Sequence, residues 1–472
     1  MTERVGTAGD IPGSKRPPSE QESSHQFGLT AAMALIVGSI IGVGVFNLPT
    51  SLAAYGPITL VSMALTTVGA LALALLFSSL SRRLPADGGP YAYARSGFGN
   101  PIGFINAWSY WITAWAGNAA IAVGWVLYVE YFINKDHTKW ITVLLVLVGL
   151  WLPAAVNLSG VKNIGSVQVI TTIIKFAALA FISIVGLFSI KSANFHPWNV
   201  SKESAINAIG GGMAIALFSY LGVETASVAA AKVRNPDRNI PRATVLGTIA
   251  CAAVYLLSLT VIFGIIPSSQ LVNANAPFSD AANAIFGGTW AGNLMAVAVI
   301  ISGLGALVGW TMICAEMPLA AANDGLFPAR FKRISRRQVP AFGIIASTVL
   351  ASVAMLINYL GSSGATVFTT LVLMTGITSA IPYAFSALAQ LKWRWIDQQA
   401  MHTPRFVRDM IVAVLALLFS ILFIVYSRNT GNSFWVYWAP YFLAAGALLL
   451  GIPVYLAQRR HLTPPPPVPP YR

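Results

Sequence analysis

Twelve apolar runs of membrane-spanning length divide this chain, at about 29–55, 57–80, 99–132, 140–158, 164–190, 205–230, 243–266, 290–318, 341–360, 365–391, 409–427 and 433–457. Crossing a bilayer's hydrocarbon core takes about 20 apolar residues in a helix. Peptide groups at that depth must pair within the protein, which makes each run a helix. Charged residues are 9% of the 472 and hydrophobic types 56%. A soluble domain carries about 25% charge. Too few charges are present to cover a water-exposed surface, which excludes a soluble enzyme, a disulfide scaffold and a disordered chain. The fold class expected is an all-α membrane protein of twelve transmembrane helices.

The formal net charge of +14 follows the topology. Of the 29 Lys and Arg, Lys135, Lys139, Lys191, Lys202 and Arg428 fall on one side of the alternating loops and Lys175 lies inside a span; the remaining 23 lie on the side of the two tails. The positive-inside rule then places both termini in the cytoplasm of a multi-pass protein of the cell membrane. Basic residues distributed between apolar runs make no nucleic-acid footprint. Residues 1–26 are polar and rich in Ser, Pro and Gly, and read as a disordered cytoplasmic tail with no cleaved signal peptide. Residues 458–472 form a basic, Pro-rich cytoplasmic tail. Cys251 and Cys314 lie in apolar segments, where a structural disulfide is not expected. The five histidines, His25, His137, His196, His402 and His461, lie in tails or loops, which leaves no histidine proton relay at depth.

Glycine is concentrated in two spans. The first reads Gly38-Ser39-Ile40-Ile41-Gly42-Val43-Gly44-Val45-Phe46-Asn47-Leu48-Pro49; the sixth contains Gly210-Gly211-Gly212 and then Phe218-Ser219-Tyr220-Leu221-Gly222-Val223-Glu224. Glycine costs about 1 kcal/mol against alanine inside a helix. Such density serves either close helix packing or an interruption that frees amides and carbonyls for a ligand's carboxylate and ammonium. Breaks five spans apart, in matching positions of two halves, favour the interruption and an inverted repeat with a midplane site. The expected division is 27–195 (helices 1–5), 196–392 (helices 6–10) and 393–457 (helices 11 and 12).

Few ionisable groups remain at depth. Glu130 and Glu316 sit near span ends and read as structural. Glu224 follows the sixth-span break, where a partly desolvated carboxyl can exchange a proton and gate access. Lys175 is near the middle of span 5, too far from either end to snorkel. Its ammonium, pressed against carbonyls of the broken first span, would do the work of a bound sodium ion and make the protein sodium-independent. Asn118, Phe218 and Trp310 lie mid-span beside Gly or polar neighbours, where packing is the commoner role. No His/Cys cluster or paired carboxylates at depth suggest a membrane-embedded enzyme, and no ring of charge suggests a channel.

These stretches, with Gly-Gly-Pro-Tyr-Ala-Tyr-Ala-Arg (88–95), Asn-Pro-Asp-Arg-Asn-Ile-Pro-Arg-Ala-Thr (235–244) and Ala-Asn-Asp-Gly-Leu-Phe-Pro (322–328), resemble the amino acid–polyamine–organocation superfamily, and most nearly its basic amino acid/polyamine antiporters. The resemblance implies a 5+5 inverted repeat (LeuT-like) with broken helices 1 and 6 and two added helices. It implies a substrate site at Ile40, Ile41, Val43, Gly44, Asn118, Phe218, Leu221, Trp310 and Thr375. Within it, Trp310 would stack on a cationic group and Val43 replaces a serine. Phe218 replaces a gating tryptophan. Tyr110, Glu224 and Tyr383 would form an inner gating layer tied to proton sensing. Lys175, in Lys-Phe-Ala-Ala-Leu, is similar to the span-5 lysine of a different branch, the proton-coupled and heteromeric carriers. The implied function is exchange of cationic amino acids or related amines by alternating access. The alternative is a proton-coupled symporter or broad-range permease for neutral amino acids. The expected partners are the substrate and the lipid bilayer, with a homodimer left open; no nucleic acid, cofactor, metal or catalytic residue is expected.

Overall fold

The computed structural model describes residues 28–84, 88–160, 164–225, 233–359, 363–397, 404–430 and 433–468. The tail expected at 1–26 and the end of the sixth apolar run, 226–230, lie outside them. Among the described residues the spans are helical except at two breaks, one in span 1 and one in span 6. Span 1 is split into α1 (Leu29–Ile40) and α2 (Gly44–Ala53). Then come α3 (Thr59–Arg83), the short α4 (Pro90–Phe98), α5 (Asn100–Ile133), α6 (Lys139–Leu158) and α7 (Ile164–Gly186). Span 6 is α8 (Ala205–Ala216), prolonged by a 3-10 turn, Leu217–Tyr220. It is followed by α9 (Pro236–Ile265), the short α10 (Pro277–Phe286), α11 (Trp290–Asn323), α12 (Ala341–Tyr359) and α13 (Gly364–Ile396). The last two spans are α14 (Pro404–Tyr426) and α15 with α16 (Phe434–Leu449, Gly451–Gln458). Eleven helices among the described residues are long and apolar enough to cross a membrane, and Ala205–Tyr220 is a shorter apolar helix.

The helix packing repeats itself with a five-span offset. α1 packs on α9 as α8 packs on α3; α5 packs on α13 as α11 packs on α7; α4 lies on α13 as α10 lies on α7. Five is odd, so the second set enters from the opposite side and the copies are inverted. Outward faces carry the apolar residues that lipid accepts, such as Ile170, Ile173 and Ile184 on α7 and Ile411, Val414 and Leu418 on α14. Inward faces carry small residues. Ala107, Ala114, Ala116, Ala119 and Ala120 of α5 are all buried, which lets α5 sit at the centre of the bundle.

Gly210, Gly211 and Gly212 serve packing, against the expectation that they interrupt span 6. They lie in unbroken α8. A Cβ on them would meet the Tyr426 ring at 2.5 Å, the Tyr55 hydroxyl at 2.3 Å and Ser62 at 2.5 Å. The break comes later, at Leu221–Glu224.

On the side away from the termini, α10 and the segment before it close over the bundle. Thr50 donates to the Ala274 carbonyl (2.7 Å), Asn283 to the Tyr131 hydroxyl (2.9 Å), and Asn275 meets His137 Nε2 (2.8 Å). Burial on α10 pushes the Asp280 carboxyl up to about 6. A carboxyl raised in the folded state favours folding below about pH 4 and loses that contribution as pH rises through 6. The full shift of about two units corresponds to roughly 3 kcal/mol, and partial exposure screens it to on the order of 1–2 kcal/mol. Asp280→Asn is therefore expected to raise the melting temperature in detergent at pH 7.5 and leave it unchanged near pH 4.

Candidate functional site

The site forms where the two broken spans meet. α1 stops at Ile40: the Gly42 N–H turns back to the Ile40 carbonyl (2.9 Å), and the helix resumes only at Gly44. The carbonyls closing α1 are met from three other helices. Lys175 Nζ donates to the Gly38 carbonyl (2.8 Å), Trp310 Nε1 to that of Ser39 (3.2 Å) and the Tyr255 hydroxyl to that of Ile40 (2.8 Å). Lys175 is 1% exposed, so this contact replaces hydration that the membrane interior cannot give.

Span 6 tightens into its 3-10 turn and then opens. Leu221 is extended (ψ 134°) and Gly222 takes φ +107°, a conformation that side chains rarely permit. The glycines also let the breaks touch. A Cβ on Gly222 would stand 2.8 Å from Ser39 Cβ, and one on Gly44 would stand 2.6 Å from the Phe218 ring. Between the two breaks is a cavity of about 10 Å³, lined by Ser39, Ile40, Gly42, Gly44, Gly117, Ile121, Phe218, Leu221 and Trp310. That volume admits about one water, so an amino acid enters only when the elements around it separate.

Layers on either side close this gap. Away from the termini, the Phe218 ring meets Phe368 edge-on (centroids 5.9 Å apart) and Ser51 bonds Thr369 (2.8 Å). Beyond them a cavity of about 500 Å³ is bounded by Thr50, Ser51, Glu130, Tyr359 and Thr369. Toward the termini, the Tyr110 hydroxyl donates to Glu224 Oε1 (2.8 Å), and Tyr383 interacts with the same carboxyl. All three side chains are fully buried.

Of the expected substrate residues, Ile40, Gly44, Phe218, Leu221 and Trp310 line the gap. Ile41, Val43, Asn118 and Thr375 do not. Val43 points at Gly303 of α11, Asn118 Nδ2 donates to Thr311 Oγ1 (3.1 Å), and Thr375 donates to the Val372 carbonyl of its own helix (2.6 Å). The expected gating residues Tyr110, Glu224 and Tyr383 come together, and Lys175 stands behind the first break. Gly117 and Ile121, one helical turn apart on α5, also line the gap, and nothing in their residue types marks them for it. Ser39 and Gly42 lie inside the first-span motif. Tyr255 was legible only as a lone hydroxyl within an apolar span. Among the described residues no three His, Cys, Asp or Glu approach closely enough to hold a metal ion.

Two interrupted helices in a multi-pass bundle, with a midplane cavity closed on both sides, define a membrane carrier of the broken-helix type. Residues 27–448 match the family model for amino acid permeases, and the chain belongs to that family. It is 31% identical to an arginine/ornithine antiporter of Pseudomonas aeruginosa, over 85% of this chain and 86% of the relative. It is 30% identical to a putrescine transporter of Haemophilus influenzae (84% and 91%) and 31% identical to an arginine/agmatine antiporter of Chlamydia pneumoniae (93% and 91%).

Proposed function

We propose that this protein is a plasma-membrane antiporter that exchanges cationic amino acids or related amines by alternating access, with both termini cytoplasmic. The observation that carries the reading is the contact between the two helix breaks around a gap that Trp310 and Phe218 share. Backbone groups at the breaks hold the substrate's α-amino and carboxyl groups. The side chain lies against the Trp310 face, whose indole N–H is already committed to Ser39. The two relatives named for arginine and the one named for putrescine support a cationic substrate. The repeats at 27–195 and 196–392 rock against each other about the gap, and Tyr110, Glu224 and Tyr383 form the cytoplasmic gate. The Lys175 contact with Gly38 occupies the place of a coupling cation, so exchange proceeds at full rate when sodium is replaced by choline.

One observation favours the second reading, a proton-coupled carrier of neutral amino acids. Among the described residues no carboxylate lines the gap, and the ring facing Gly44 is phenylalanine. Counterflow in liposomes separates the two. Vesicles preloaded with each amino acid, ornithine, agmatine or putrescine are tested for entry of labelled arginine. Stimulation by cationic preloads supports the antiporter; accumulation of neutral amino acids driven by a proton gradient, without preload, supports the symporter.

Trp310→Ala is expected to weaken cationic substrate binding by about 1–2 kcal/mol, since a desolvated cation–π contact is worth up to about 2 kcal/mol. Calorimetric titration with arginine measures it, and an unchanged affinity rules out the stacking role. Glu224→Gln keeps the hydrogen-bonding shape but carries no titratable proton. Its exchange rate is expected to lose most of its dependence on pH; a surviving pH profile assigns proton sensing to another group.

A further inference from the structure

The segment after span 12 returns to the bundle and ties together the elements beneath the inner gate. Residues 459–468 follow α16, and at His461 and Thr463 the segment meets Gly325 and Asp324 just past the end of α11. Leu462 and Val468 pack against the core. Between them Thr463 makes a two-sided contact. Its amide and hydroxyl donate to the Asp324 carbonyl (3.3 and 2.9 Å), while its hydroxyl and carbonyl accept from Arg95 Nη2 (2.7 and 2.8 Å). Asn100 Nδ2 also donates to the Thr463 carbonyl (2.9 Å), and Arg95 Nη2 reaches that of Pro464 (3.2 Å).

The place of this contact gives it meaning. Arg95 belongs to α4, is 2% exposed, and pairs with Asp324 just past the end of α11 (2.6 Å); Tyr91 of α4 donates to the same carboxylate (2.9 Å). α4 packs on α13, the helix that carries Tyr383. The crossing point is built to be bare. Gly325 has φ +78°, and a Cβ there would stand 2.2 Å from the His461 carbonyl oxygen. The chain thus bridges α4 and the start of α5, from one half of the repeat, to the end of α11, from the other.

We infer that residues 461–468 are a strap that holds the terminal-side gate shut and slows its opening. Separation of α4 from the end of α11 breaks the Thr463 bonds on one side or the other. The strap therefore favours the conformation closed on this side, and its release raises the rate at which the inner pathway opens.

The test uses the full chain, a variant ending at Arg460 and Thr463→Val. Two rates are read: alkylation of Cys314 by N-ethylmaleimide, followed by mass spectrometry of its peptide, and arginine exchange in liposomes. Cys314 is 1% exposed and lies beside Tyr110, so its alkylation reports opening toward the terminal side without any assumption about substrate. Alkylation is expected to rise about tenfold on truncation and about threefold in Thr463→Val, at an unchanged melting temperature, with exchange rising in parallel. Alkylation within twofold of the full chain in both variants, or slower, overturns the strap. If the truncated chain fails to fold, Thr463→Val decides by the same criterion. Faster alkylation without arginine exchange upholds the strap and counts against the proposed substrate class.

Discussion

Gly222→Ala is expected to reduce exchange by at least about a hundredfold while the protein still inserts and elutes as a single species in detergent. Two costs coincide at this residue. Its φ of +107° is a strained conformation for any side chain, and such strain amounts to about 1–3 kcal/mol. The new Cβ would also stand 2.8 Å from Ser39 Cβ and 2.9 Å from the Ser39 carbonyl carbon. Backbone on the facing break cannot swing aside as a side-chain tip can, so the breaks move apart and the groups that grip the substrate lose register. A loss of about 2.7 kcal/mol in the transition state is a hundredfold in rate. Gly446→Ala is the matched control, because a Cβ there meets nothing within 4 Å. Counterflow of labelled arginine measures both, and Gly222→Ala activity within threefold of the parent refutes the contact between the breaks as the core of the site.

Lys175→Met is the second large effect. The substitution keeps the length of the side chain and removes the donor to the Gly38 carbonyl. A hydrogen bond from a charged group contributes about 1.5–3 kcal/mol, and its loss strands a buried acceptor. Exchange is expected to fall on the order of 10- to 100-fold, with a lower melting temperature in detergent. Lys175→Arg is not expected to restore it, since the planar guanidinium needs more room than a site 1% exposed provides. An active Lys175→Met protein of unchanged stability would show that α1 ends without help from span 5.

The twelve spans and their alternation were legible because apolar length is a local property, and continuous apolar runs of about 20 residues match a spanning helix rather than the roughly 9–11 residues of a barrel strand. Lys175 was legible for the same reason: an ammonium too deep to snorkel must find a carbonyl, and the first span was the segment with carbonyls to spare. Glycine density was a weaker guide. It marked both broken spans, yet a glycine that admits a neighbour's ring and a glycine that breaks a helix have the same sequence. Gly210–Gly212 and Gly222 are told apart by backbone and by neighbour: the first three are helical and face Tyr426, Tyr55 and Ser62, while Gly222 takes φ +107° against the Ser39 backbone.

The sequence by itself determined that this is a helical membrane protein, that spans 1 and 6 are its exceptional ones, and that Glu224 and Lys175 need partners at depth. Each conclusion follows from the cost of placing one residue type in hydrocarbon, which needs no knowledge of neighbours. Tertiary structure alone decided which residues face the gap, that Asn118 turns to α11 and Thr375 to a carbonyl of its own helix, that Tyr255 and Trp310 take up the carbonyls of α1, and that Thr463 returns to Arg95. Those choices depend on the rotation of each helix about its axis and on which helices meet. Packing across distant segments sets both.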